Sequence, residues 1–140
     1  MKGLLGALVL CMAMAGCETE VVEHRYPTLA DARADHLFER GWLPDVLPPS
    51  SVDIRTVNNL DVDTSSGSFG FQPSEASLLF GRLSAGASMK APFSGWPATL
   101  ADYEKRGFTA WSYRDQYSHW AFFCKSGAGR CEYTTWSTNR

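Results

Sequence analysis

The order of apolar and polar positions divides the chain into short elements of helical period and short runs of period two. Thr28-Leu29-Ala30-Asp31 reads as a helix start, with a hydroxyl cap and an acid three residues on. The helix is predicted to run from Leu29 to Glu39 or Arg40. Ala30, Ala34, Leu37 and Phe38 form its apolar stripe, and Asp31, Asp35 and Glu39 turn to water. Gly41 then offers the left-handed position of a helix ending, with Trp42 folding back on Leu37. Residues 41–49 hold Pro44, Pro48 and Pro49 and read as a stiff connector whose Leu43, Val46 and Leu47 cap the core.

Ser51 to Val57 alternates as a strand, residues 58–67 form a polar connection, and Ser68 to Phe71 is a second strand with Phe69 and Phe71 on one face. Gln72-Pro73-Ser74-Glu75 opens a helix in which Ala76, Leu79, Phe80 and Leu83 recur at helical spacing. Ser84 to Pro97 is loop-like. A third helix, Ala98 to Arg106, buries Leu100 and Tyr103 and stops at Gly107. Three strands follow, at residues 108–114, 119–125 and 130–136.

Setting Cys124 opposite Cys131 fixes the register of the last hairpin, pairing Phe122 with Tyr133 and Trp120 with Thr135. A turn near Gln116-Tyr117 likewise sets Tyr113 opposite Trp120 and Trp111 opposite Phe122. One face then carries Trp111, Tyr113, Trp120, Phe122, Tyr133 and the disulfide, and is expected to be the core under the helices. The other carries His119, Phe123, Glu132 and Trp136, a mixed surface. The expected fold is α+β: three short helices on an antiparallel sheet of about five strands, stapled by the terminal hairpin.

The N-terminus adds a membrane to this picture. Lys2 precedes a nearly unbroken apolar run from Gly3 to Ala15, too short to span a bilayer, and Met14-Ala15-Gly16-Cys17 leads into polar Glu18-Thr19-Glu20. This ending resembles the lipobox of bacterial lipoproteins, with Met14 in place of the usual Leu. The resemblance implies cleavage before Cys17, fatty acylation of that cysteine and attachment to the periplasmic side of a membrane. Glu18 where an Asp would retain the protein points to the outer membrane, with the inner membrane as alternative. An ordinary secretory signal cut near Ala13 or Ala15 would instead leave a soluble protein. The expected organisation is a signal over residues 1–16, a lipidated tether over 17–27 and one domain over 28–140. Two or more acyl chains anchor stably, where a single one is marginal.

Four cysteines reduce to one pair: Cys11 leaves with the signal, Cys17 takes lipid, and Cys124 and Cys131 remain for a structural disulfide in an exported chain. The helix ending Arg40-Gly41-Trp42-Leu43-Pro44, then Leu47-Pro48, Asp53-Ile54 and Asn59-Leu60-Asp61, resemble a family of small bacterial envelope proteins of uncharacterised activity. The likeness covers about Tyr26 to Phe71, implies one folded unit and transfers no site.

Charge and motifs narrow the function further. The whole chain has a formal charge of -2, without the clustered basic face that nucleic acid requires. No metalloprotease, serine-hydrolase or phosphate-loop pattern occurs. Ser126 to Gly129 joins strands and reads as a turn. Asp61 and Asp63 lack the glycine and distal glutamate of a calcium loop, nothing brings either beside His119 as an acid/base couple, and His36 has no second ligand at helical spacing. The expectation is a non-enzymatic module, without cofactor or metal, that holds an envelope protein as inhibitor, immunity protein or assembly factor. The alternative is a peptidoglycan- or glycan-binding module using Trp111, Tyr113 and Trp120. Exposure of those rings separates the two.

Overall fold

The computed structural model describes Gly16 and residues 19–139. One seven-stranded antiparallel sheet organises them, in the order β1-β2-β3-β7-β6-β5-β4. The strands are β1 (Val21–Thr28), β2 (Val52–Asn59), β3 (Thr64–Gly70), β4 (Ser84–Ala85), β5 (Thr109–Arg114), β6 (Ser118–Lys125) and β7 (Arg130–Ser137). Three helices complete the fold: α1 (Leu29–Ala34), α2 (Ala76–Phe80) and α3 (Trp96–Lys105). No helix among the described residues is long and apolar enough to cross a membrane. Cys17 and the apolar run of residues 1–15 lie outside the described residues.

The strand count of about five is corrected to seven, and the additions are the two edges. Residues 21–27, expected as tether, pair with β2 from Val21 opposite Asn59 to Thr28 opposite Val52. Glu23, Arg25 and Pro27 on this outer strand are residues that discourage another chain from adding to the edge. The other edge, β4, is only two residues long.

The helix expected to reach Glu39 or Arg40 is assigned only to Ala34, and His36 takes a left-handed φ of 57°. Its predicted start and finish are both present. The Thr28 hydroxyl accepts from the Asp31 amide while the Asp31 carboxylate accepts from the Thr28 amide. Downstream, Trp42 N–H donates to the Leu37 carbonyl and Gly41 N–H to that of Phe38, with Gly41 at φ 72°. This is the Schellman bond pair.

The terminal register is the one the cysteines imply: Cys124 faces Cys131, Phe122 faces Tyr133, Trp120 faces Thr135, Tyr113 faces Trp120 and Trp111 faces Phe122. The disulfide joins Cys124 and Cys131. On that face, α1, α2 and the 35–47 segment cover a core that includes Leu37, Leu43, Leu79, Phe69, Phe71 and Phe122. We call it face A.

The opposite side, face B, is not the open mixed surface expected. At β5, β6 and β7 it carries a second core, where Phe123, Ala121 and Trp136 meet Trp96, Leu100 and Tyr103 of α3. The helices therefore divide between the two faces. Glycine is required at Gly67, where a Cβ would stand 2.7 Å from the Tyr133 hydroxyl oxygen. Its absence lets the Tyr133 ring lie against β3.

Candidate functional site

Because side chains alternate across a sheet, the pairing register arranges face A in rows running from strand to strand. The outermost row is Tyr113, Trp120, Thr135, Ser65 and Asn58. The next is Trp111, Phe122, Tyr133, Gly67, Thr56 and His24. Beyond it come Cys124, Cys131 and Phe69, an apolar row that ends at the exposed Thr109 of β5.

The first two rows hold every buried side-chain polar atom that lacks a hydrogen-bond partner among the described residues. These are Nδ1 of His24, Oγ1 of Thr56, both amide atoms of Asn58, Oγ of Ser65, the indole nitrogens of Trp111 and Trp120, and the Tyr133 hydroxyl. Burial pushes the Tyr133 phenol up, opposed to a lesser degree by the Ser65 hydroxyl. Native interiors leave few such groups, and each requires a ligand, water or a functional account. Thr135 in the same row is satisfied by the His119 carbonyl at 2.7 Å.

A cleft of about 870 Å³ opens at this end of face A. Its floor includes Asn58, Ser65, Thr135 and Tyr113, and its far wall is the Phe38–Asp45 segment. Leu60, Asp63, Asp115 and Tyr117 stand at the rim, with Tyr117 71% exposed and Leu60 47% exposed. Trp42, half-buried in the wall, is flanked by His24 and by the Arg40 guanidinium. The volume falls in the range of ligand clefts.

Charge in the cleft is predominantly negative. Arg40 is turned to Asp35 at 3.7 Å, and Asp45 is held by Arg33 at 3.0 Å. Glu39, Asp63 and Asp115 also line it and make no ion pair among the described residues. Just behind the wall, Tyr26 donates to Asp35 at 2.5 Å. Burial and that carboxylate push the Tyr26 phenol up to about 12. The Tyr26 hydroxyl in turn holds the Asp35 carboxyl below the usual carboxylate range, helped by Arg40.

A second hollow of about 800 Å³ lies on face B over β1, β2 and β3. Part of its charge is engaged: Arg55 donates to Glu23 at 2.8 Å, and Tyr103 to Glu132 at 2.7 Å, while Asp53 and Arg130 also line it and make no ion pair among the described residues. No buried unpaired polar side chain among the described residues lies on this face.

The residues singled out from sequence separate. Trp120 is fully buried, so its ring faces no ligand. Trp111 is half-buried and stacks on Phe80 of α2 at 4.7 Å. Only Tyr113 reaches the cleft. His119 stacks on Trp136, and Asp61 accepts from the Glu20 amide at 3.0 Å. Among the described residues no group of three or more His, Cys, Asp or Glu side chains is placed to hold a metal. Sequence reasoning missed Asn58 and Ser65. The available signal was two strand-flanking polar residues facing each other in a hairpin.

Fold and site together define an α+β domain built on one antiparallel sheet, with a polar cleft at one end of its helix-covered face. Residues 20–70 match the model of the YbbD head domain family. That segment holds β1, α1, the connector, β2 and β3, and therefore Asn58, Ser65 and the Trp42 wall. No curated protein and no solved structure matches the chain.

Proposed function

We propose that this chain is a lipid-anchored envelope protein that binds a protein partner in the face A cleft without catalysing a reaction. The observation that carries the reading is the cleft itself, whose floor holds the buried Asn58 amide without a partner among the described residues while the aromatic platform needed for stacking sugars is sequestered. Trp120 has no exposed surface and Trp111 is covered by Phe80, which favours a protein partner over a glycan. The anchor is carried by Met14-Ala15-Gly16-Cys17, whose acylated cysteine would hold the domain on the periplasmic side of the outer membrane. An inhibitor, immunity or assembly role suits such a module, by analogy of architecture alone.

The test is affinity capture of the tagged, lipidated protein from gently crosslinked envelopes, with bound protein and glycan both read by mass spectrometry. One stoichiometric protein is the expected result. Muropeptides recovered without any protein would overturn it in favour of the glycan module. Cys17→Ser is expected to move the protein into the soluble fraction, and unchanged membrane association would remove the anchor from the proposal.

A further inference from the structure

The Asn58 side chain is one carbonyl oxygen and one amino group on a rigid strand, 2% exposed, with neither atom paired. Its cross-strand neighbour Ser65 is 8% exposed, and its hydroxyl lies near the Tyr133 phenol without a hydrogen bond of ordinary geometry. A carboxamide presents one acceptor beside two donors, the complement of a main-chain peptide group, which presents one donor and one acceptor. A strand floor that offers this pairing inside a cleft is suited to an extended chain.

Charge narrows the choice. Glu39, Asp63 and Asp115 line the same cleft and make no ion pair among the described residues; Arg40, the cation beside them, is turned to Asp35, and Asp115 accepts from the Tyr117 and Ser118 amides. Opposite charge at the rim attracts a cationic side chain, while like charge repels the carboxylates of a muropeptide. Asn58 is 2% exposed and its amide atoms are closed to solvent, so a partner reaches them only by displacing what covers them.

We infer that the cleft takes an extended peptide segment of the protein partner, with Asn58 pairing to a main-chain peptide group and the rim carboxylates receiving a lysine or arginine. This rests on the protein-binding reading. Ser65 supplies a further hydrogen bond to the same segment, and Tyr113 and Trp42 flank its apolar atoms.

The test is a nuclear magnetic resonance titration of the intact protein in detergent micelles. The probes are N-acetyl-lysine N-methylamide, its glutamate counterpart and N-acetylglucosamine, each at millimolar concentration. The lysine probe is expected to shift the Asn58 side-chain amide signals saturably and to bind roughly tenfold tighter than the glutamate probe. Asn58→Leu should abolish saturable binding of the lysine probe, read at the backbone amides of Ser65 and Tyr113, while its thermal midpoint is kept or raised. Asp63→Asn, at an exposed position with a left-handed φ of 48° that Asn accepts, should weaken the lysine probe alone.

No saturable shift at Asn58 with any probe would mean that water alone fills the floor, and would overturn the inference. So would a response to N-acetylglucosamine equal to that of the lysine probe, or lysine-probe binding, read at the backbone amides of Ser65 and Tyr113, that survives Asn58→Leu. A protein captured from envelopes alongside a failed titration would leave the protein-binding reading standing and this inference refuted.

Discussion

Faces A and B of the sheet bury similar aromatic residues and treat polar atoms in opposite ways. On face B the Tyr103 ring lies flat on Phe123 at 3.7 Å between centroids, and its hydroxyl reaches Glu132. Trp96 packs on Phe123 and Trp136 and gives its indole N–H to the Met89 carbonyl at 2.9 Å. Face A is equally dry at the disulfide, yet in the next two rows along the strands it carries unpaired indoles, hydroxyls, an imidazole and a carboxamide. None of the eight unpaired atoms is on face B. An unpaired buried polar group costs on the order of 1–3 kcal/mol, so a fold that concentrates them in one place has not been optimised there for stability. Such departures from local consistency are expected at functional sites.

The comparison makes graded predictions, measured by chemical denaturation of the intact protein. Phe123→Ala opens the dry core between α3 and the sheet and should cost about 3–5 kcal/mol. A loss below about 1 kcal/mol would mean that face B is not the tight core described.

Replacing Cys124 and Cys131 together by serine tests the dry end of face A. The eight-residue ring they close predicts a loss of about 2.5 kcal/mol on the chain-entropy account. Peptide mapping without reductant should first recover the two cysteines joined.

Tyr103→Phe removes one satisfied hydroxyl from face B and should cost about 1 kcal/mol near neutral pH. Burial, and then the bond to Glu132, push the Tyr103 phenol from an ordinary 10.0 up to about 12. A phenol raised in the folded state adds stability that is complete below pH 10 and drains away as pH climbs toward about 12. The variant should therefore lose less stability than the parent across that alkaline window.

The smallest change is expected from Asn58→Leu, within about 0.5 kcal/mol of the parent or slightly stabilising, because no bond is lost. A destabilisation of about 2 kcal/mol or more would show the amide to be a structural member of face A and erase the contrast between the faces.

How much of this was legible in the sequence depended on whether one element or the meeting of several carries the information. The terminal hairpin was readable because Cys124 and Cys131 pin its register and the aromatic residues then follow at period two. α3 and its stop at Gly107 were readable from helical spacing alone, and Gly107 takes the expected left-handed φ of 85°. β1 was not, since Val21-Val22-Glu23-His24-Arg25-Tyr26-Pro27 has too few apolar residues to announce a strand and gains its order from pairing with β2. The side taken by α3 was hidden too, because both faces of β6 are aromatic and either could receive a helix. The site was the least legible part. Asn58 and Ser65 look like ordinary loop residues until β2 and β3 extend far enough to carry them inward.

The strand at Val21 changes what kind of searcher the protein would be on a membrane. Glu20 is fastened to the β2–β3 turn twice, its amide to Asp61 and its carbonyl to the Leu60 amide. An acylated Cys17 would thus lie three residues from a fixed corner of the sheet, a leash of about 10 Å, where the expected ten-residue tether allowed about 36 Å. On so short a leash an anchored domain would be unable to range far from its membrane. It would patrol a plane, and because the turn that ties down Glu20 also forms the cleft rim, the cleft of an anchored domain would meet only chains that pass close to the lipid headgroups.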